Sequence, residues 1–590
     1  MNTLHTLADW RHAWAQGLQP ADMLPALVDG FDAADTAWIW RAPAAFVRAQ
    51  IAALPPAPDE STPLGGVPFA VKDNIDVADV PTTGACPAFA YTPERSAVAV
   101  ERLRAAGAIL VGKTNLDQFA TGLVGTRSPY GEVANTFDPA YVSGGSSSSS
   151  ASVVARGLVP FALGTDTAGF NNLVGLKPTP GSVPMTGVLP ACRSLDVVSV
   201  LALTVADAAE VMALFEGAAG EARFNESAPR PAWLGQGGRP PRLGIPALPG
   251  CDVALGWDRA FDAAVERARR LGAEVVTVDF DPLFEVARLL YDGPWVAERH
   301  LVAEALLVSD PDAIDPVVRG IMESADWFDG DAVFSGRYRL EELRARIAPI
   351  WMGVDALMVP TATTCPTRAA VALEPLKRNA GLGLYTNFVN LLGWAALALP
   401  SNVEDGRLPF GVTFIAPGGA DAALARWGLD WERAGPTTLG ARLRETRVAD
   451  RVPRAMPRAA PVLPLAVVGA HLQDMPLHWQ LVERGCRRLA RTRTAADYRL
   501  FARPDTTPPK PGLARADAAH AGFAIEVEVY EMPMEAVGSF LALIPPPLGL
   551  GSVELADGRW VKGFICEPRA LVGAQDISAH GGWRAWLESR

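Results

Sequence analysis

Ser143-Gly144-Gly145-Ser146-Ser147 and Gly164-Thr165-Asp166-Thr167-Ala168-Gly169 are two runs of small residues on either side of a short apolar segment, Ala151 to Ala155. By composition, the tract from Ser143 to Ser150 could be a flexible linker. Its surroundings argue otherwise: an apolar, helix-like segment follows at once, and the second glycine-bounded run comes next. Loops of this kind let backbone N–H groups approach a ligand closely. Upstream, Val71-Lys72-Asp73-Asn74 puts a lysine at the end of an apolar run, Val67-Pro68-Phe69-Ala70-Val71. Taken alone, a lysine at a strand end is a solvated charge. Taken with the two loops it is a candidate base, provided burial lowers its pKa, because only the neutral amine accepts a proton. Lys113, in Gly112-Lys113-Thr114-Asn115, also ends a strand-like run and is the rival. Histidine is poorly placed for the task. None of the seven lies between residues 13 and 299, so a Ser–His–Asp triad would have only His300 in the first domain.

Together the three stretches resemble the amidase signature family, which hydrolyses amides with a Ser–Ser–Lys triad. The resemblance implies an α/β fold with a mixed central sheet flanked by helices. It assigns the catalytic lysine to Lys72 and the relay serine, on a cis peptide, to Ser146. It also implies that Thr167, Ala168 and Gly169 present backbone N–H groups to a developing oxyanion. One departure stands out: the family usually has glycine two or three positions after the relay serine, and Ser147 to Ser150 has none.

A second departure concerns the nucleophile. In the family a serine follows the last glycine of the second loop and opens a segment of the form Ser-Gly-Arg-x-Pro-Ala-Ala. Here Phe170-Asn171-Asn172 follows Gly169 directly, and the pattern resumes at Val174-Gly175-Leu176-Lys177-Pro178-Thr179. Either a segment of the natural chain is left out of the numbered sequence, or the segment is deleted and the chain is an inactive homologue. The close match of both flanks favours the first reading.

Strand-like and helix-like segments alternate through the first 440 residues, as an α/β fold requires. Residues 1 to about 60 read as helical, and Ala97 to Ala106 as a helix. Ala108 to Val111, Ala273 to Val278 and Ala356 to Pro360 read as strands. The texture then changes at an arginine-rich stretch, Arg442 to Arg458, interrupted by Pro453 and Pro457. The expected division is 1–440, a linker over 441–461, and a small α+β domain over 462–590. That last part opens with Val462 to Val468, has strands at Phe523 to Tyr530 and Trp560 to Ile565, and has a turn at Pro545 to Gly551.

Composition sets outer bounds. A chain of 590 residues is too long for one core. A net charge of −12 argues against a nucleic-acid partner. The six cysteines are far apart with no Cys-x-x-Cys, so no zinc site or disulfide framework is expected. No signal peptide or membrane span is evident, and a cytoplasmic protein is expected.

Downstream motifs narrow the resemblance to the allophanate hydrolases. They are Tyr291-Asp292-Gly293-Pro294-Trp295-Val296-Ala297-Glu298-Arg299, Tyr385 to Leu391, Leu408 to Phe414, and Val468-Gly469-Ala470-His471-Leu472-Gln473-Asp474-Met475-Pro476-Leu477. The resemblance implies hydrolysis of allophanate to ammonia and N-carboxycarbamate, then carbon dioxide, in urea degradation and nitrogen metabolism. It assigns Tyr291 and Arg299 to binding this small anion, the guanidinium gripping its carboxylate through two parallel bonds. Considered singly, Arg299 would be a surface salt bridge and Tyr291 a half-buried core aromatic. The resemblance also implies a C-terminal domain like the gamma-glutamylcyclotransferase fold, with His471 assisting decarboxylation, no metal or organic cofactor, and a homodimer. The alternatives are another family member, such as a tRNA amidotransferase subunit, or a scaffold without activity. Residues 462 to 590 and the Tyr291–Arg299 segment count against the first.

Overall fold

The apolar runs of the first 440 residues become strands of one mixed, 11-stranded sheet. The structure, a computed structural model, describes residues 4–55, 60–165, 171–217, 227–235, 239–402, 408–435, 440–441, 453–503, 509–517 and 519–590. In chain order the strands are β1 (Trp38–Arg41), β2 (Pro68–Lys72), β3 (Ile109–Thr114), β4 (Phe161–Thr165), β5 (Val174–Lys177) and β6 (Val198–Ala202). β7 (Arg242–Pro246), β8 (Glu274–Val278), β9 (Ala356–Pro360), β10 (Ala395–Asn402) and β11 (Phe410–Ala416) complete the sheet. Their order is β1-β3-β2-β4-β6-β5-β10-β11-β9-β7-β8. β2 runs parallel to both β3 and β4, whereas β4, β6, β5, β10, β11 and β9 pair antiparallel in succession. β2, β3, β4, β5, β6 and β9 are buried along their whole length. They therefore read as continuous apolar runs and show no alternation.

The N-terminal stretch is not wholly helical, contrary to expectation. Helices cover Leu7–Ala15, Pro20–Asp29 and Ala44–Ala52, but Trp38–Arg41 is an edge strand antiparallel to β3. Its Trp-Ile-Trp content suits a strand, and four residues are too few to show a period.

Two compact units divide the chain: Met1–Ala232 with Arg242–Ala459, and Trp233–Pro241 with Ala460–Arg590. The sequence carries no sign that Trp233–Pro241 groups with the C-terminal residues. Residues 442–452 of the expected linker lie outside the described residues.

In the second unit, β12 (Val462–Val467), β13 (Arg487–Arg493), β16 (Glu526–Pro533), β17 (Leu548–Glu554) and β18 (Trp560–Cys566) form a sheet of order β13-β16-β12-β18-β17. β14 (Tyr498–Arg503), β15 (Lys510–Arg515) and β19 (Gln575–Asp576) form a smaller one. Leu465, Val467, Val527, Val529, Phe540 and Trp583 are among its buried core residues. Two sequence readings need correction here. The strand expected from Phe523 begins at Glu526, because Phe523 makes only an isolated bridge to Tyr498. The glycine- and proline-rich turn gives way at Leu548 to edge strand β17, where Gly551 faces Gly563 of β18. A Cβ at Gly551 would come within 2.5 Å of the Ile565 side chain, so glycine here serves close packing within a strand.

Candidate active site

Lys72 is the last residue of β2, fully buried, and its Nζ lies 2.7 Å from Ser146 Oγ and 2.6 Å from Thr165 Oγ1. Strand register separates it from its rival. Val71 pairs with Lys113 across β2 and β3, and side chains alternate along a strand, so the two lysines leave opposite faces of the sheet. Lys113 turns into a polar network: a buried ion pair with Asp73 at 2.9 Å, and bonds to Pro81 O and Thr82 Oγ1. Burial pushes its ammonium pKa down, and Asp73 opposes this. Lys113 is a structural cation.

Ser146 follows Gly145 through a cis peptide bond, and the helix Ser148–Ala155 begins two residues later. Every residue of that helix is buried, including its three leading serines. Of their hydroxyls, Ser150 Oγ meets Thr114 Oγ1 at 2.7 Å and donates to Leu163 O at 3.0 Å, whereas Ser148 Oγ and Ser149 Oγ have no hydrogen-bond partner among the described residues. The missing glycines of the serine tract are offset on the facing surfaces. A Cβ at Gly125 would lie 2.6 Å from Ser148 Cβ, and one at Gly164 would lie 2.8 Å from Ser147 Oγ. The small residue has moved to the other side of each contact.

Asp117 holds the loop that borders Ser146. Its carboxylate accepts from the N–H groups of Val124, Gly125 and Arg127, and its own N–H donates to Ser146 O at 3.1 Å. Burial pushes the carboxyl pKa up, and Arg127 and the three amides counter it. The loop passes so close that a Cβ at Gly145 would lie 2.2 Å from Asp117 Oδ2. Phe119 and Ala120 in this loop have φ of 51° and 53°, sparsely populated for residues with a side chain. Thr165 and Asp117 are contributors that sequence reasoning missed. In sequence Thr165 is only one small residue of a glycine-bounded run, and nothing near Asp117 points to Ser146.

Ser146 and Thr165 line a cavity of about 100 Å³ together with Tyr291, Arg299, Ala120 and Gly122. Arg299 sits in the helix Val296–Ser309, is buried, and donates from Nη1 to Thr121 Oγ1 at 3.0 Å. Its guanidinium carbon lies 5.0 Å from the Tyr291 ring centre, within cation–π range. The neighbouring Glu298 accepts from Ser194 N and Ser194 Oγ, which ties the helix to the loop carrying Ala191, Cys192 and Asp196 on the cavity wall. Thus Ser146, Tyr291 and Arg299 share one cavity, and Lys72 reaches it through its contacts with Ser146 and Thr165. His300 bonds to Met322 O at 3.3 Å and does not line this cavity. Thr167, Ala168 and Gly169 lie outside the described residues, as does the junction with Phe170. Among the described residues no cluster of His, Cys, Asp and Glu could hold a metal.

His471 lies in the second unit and lines a separate cavity of about 110 Å³. Its ring stacks on Phe564 with centroids 5.0 Å apart and meets the edge of Phe540 at 5.3 Å. Burial pushes the imidazole pKa down to about 4.

Comparisons with known proteins place the chain in a family. Residues 39–425 match the family model described as Amidase, and residues 463–588 match the one described as Allophanate hydrolase C-terminal domain. The chain is 44% identical over 552 residues to urea amidolyase of Saccharomyces cerevisiae, covering 90% of this chain and 30% of that protein. The chain therefore spans under a third of the length of that curated relative. It is 41% identical over 555 residues to urea amidolyase of Lachancea kluyveri, again covering 90% of this chain and 30% of the relative. The solved structure of allophanate hydrolase from Kluyveromyces lactis, 38% identical, superposes over 100% of both chains with a TM-score of 0.85.

Proposed function

Because the chain belongs to the amidase family, we propose that its first unit is built to cleave the terminal amide of allophanate, releasing ammonia and N-carboxycarbamate. The observation that carries this reading is the shared cavity. Ser146, bonded to Lys72 behind it, and an Arg–Tyr pair suited to a small carboxylate line one space of about 100 Å³.

In this reading neutral Lys72 donates to Thr165 and accepts the proton of Ser146. Ser146 in turn takes the proton of a nucleophilic serine as it attacks the amide carbon. The N–H groups of Thr167, Ala168 and Gly169 receive the oxyanion. Collapse expels ammonia, protonated along the same relay in reverse, and water then releases the acyl group. Arg299 grips the substrate carboxylate, and Tyr291 packs beside it. The second unit, taken as residues 462–590, is proposed to assist loss of carbon dioxide from N-carboxycarbamate at His471, and the chain is proposed to act as a cytoplasmic homodimer. Six cysteines, five of them buried, suit a reducing compartment. The match over residues 463–588 and the Tyr291–Arg299 cavity favour allophanate over the substrate of a tRNA amidotransferase.

The sequence runs from Gly169 straight to Phe170, with no serine at the nucleophile position. The test restores a segment of the Ser-Gly-Arg-x-Pro-Ala-Ala type at that junction and measures ammonia release from allophanate and from neutral amides. Release from allophanate by the restored chain, with none from the chain as it stands, supports the reading. A restored chain that cleaves neutral amides and ignores allophanate would refute the substrate assignment.

A further inference from the structure

Lys510 opens β15 and lines the cavity of the second unit beside His471. It is the sole lysine or arginine among the cavity's described lining residues, which are otherwise mainly apolar, with Leu543, Pro545 and Phe564 on the walls. Among the described residues no side chain takes a hydrogen bond or ion pair from its ammonium. His471 does not supply a second charge. Nε2 lies 2.8 Å from Gln480 Oε1; an amide oxygen only accepts, so Nε2 carries the proton and Nδ1 the lone pair. With its pKa pushed down to about 4 by burial, the ring is neutral at neutral pH. A partly buried lysine on the wall of a small cavity, with no other lysine or arginine among its described lining residues, is an arrangement that binds an anion.

We propose that Lys510 is the carboxylate anchor of this cavity and that it holds the carboxylate which the bound molecule keeps. The proposal rests on the reading of this unit as a decarboxylation site. When N-carboxycarbamate loses carbon dioxide, one C–N bond breaks and its electron pair stays on nitrogen. One proton from solvent adds to that nitrogen, and the departing carboxylate becomes neutral carbon dioxide. The products are carbamate and carbon dioxide, so atoms and charge balance. A cation on the departing carboxylate would stabilise a charge that must vanish and would slow the step. On the retained carboxylate the charge is the same before and after, so a fixed ammonium there binds without opposing the reaction.

Malonate, in which a methylene replaces the nitrogen, is a stable probe. It is titrated into the whole chain while the ring signals of His471, identified by their loss in His471→Gln, are followed by NMR. The expected result is a saturable shift of His471 in the parent, a Kd raised at least about tenfold in Lys510→Gln, near-parent binding in Lys510→Arg, and no binding of neutral malonamide. Unchanged affinity in a folded Lys510→Gln overturns the anchor and leaves the decarboxylation reading standing. If Lys510→Gln fails to fold, equal binding of malonamide and malonate by the parent overturns it instead. If malonate never shifts His471 in the parent, the anchor and the decarboxylation reading fall together.

Discussion

Lys72 and Ser146, 74 residues apart in sequence, stand 2.7 Å apart inside the first unit, with Thr165 completing the contact from a third segment. Three short stretches thus meet at one buried amine. Lys72→Met removes the proton acceptor and keeps the bulk. In the chain with the nucleophile segment restored it should lower kcat by about 10²–10⁴-fold, with KM little changed. The check is steady-state ammonia release.

Thr165→Val should lower kcat by roughly tenfold, the effect of losing one hydrogen bond to the base, while Thr165→Ser should restore most of it. A purely packing role for Thr165 would reverse that order, since valine keeps the shape and serine does not.

Arg299→Ala should raise KM for allophanate by an amount equivalent to about 2–5 kcal/mol and leave neutral amides nearly untouched. Parallel KM measurements on both substrate types decide this. An equal loss on both would show that the arginine only supports the fold around Thr121.

Lys113→Met should destabilise the first unit without touching the chemistry. Both partners of the Lys113–Asp73 pair have fully buried side chains. Removing one leaves an uncompensated charge, a loss of about 3–5 kcal/mol. Thermal unfolding should show a clear drop in midpoint, and kcat per folded molecule should hold.

His471 should make the second unit acid-sensitive. Its pKa falls from the ordinary 6.5 to about 4 on folding, because burial penalises the imidazolium. Between these values the unfolded chain binds more protons, so stability rises with pH through that window and is lost as pH falls from 6.5 toward 4. The span is up to about 3 kcal/mol. His471→Gln should flatten the pH dependence of unfolding over this range.

Much of this protein is legible in local pattern. The apolar run ending at Lys72, the small-residue loops at Ser143–Ser147 and Gly164–Gly169, and the segments around Tyr291 and Arg299 are contiguous in sequence. A strand, a tight loop or a charged residue on a helix is specified largely by its nearest neighbours. The strands at Glu274–Val278 and Ala356–Pro360 are read correctly for that reason. Trp38–Arg41 and Leu548–Glu554 are not, because four residues are too few to show a period and the second strand begins inside a glycine- and proline-rich stretch.

The tertiary structure alone decides which groups meet. Lys72 and Lys113 look alike in sequence, and only the β2–β3 register sends them to opposite faces, one to Ser146 and the other to Asp73. The same holds for Asp117 against Gly145, for Arg299 with Tyr291 over the cavity of Ser146, and for Lys510 beside His471. Hydrogen bonding, ion pairing and burial act over a few ångströms of space, and residues far apart along the chain come that close only when the sheet and its loops are assembled.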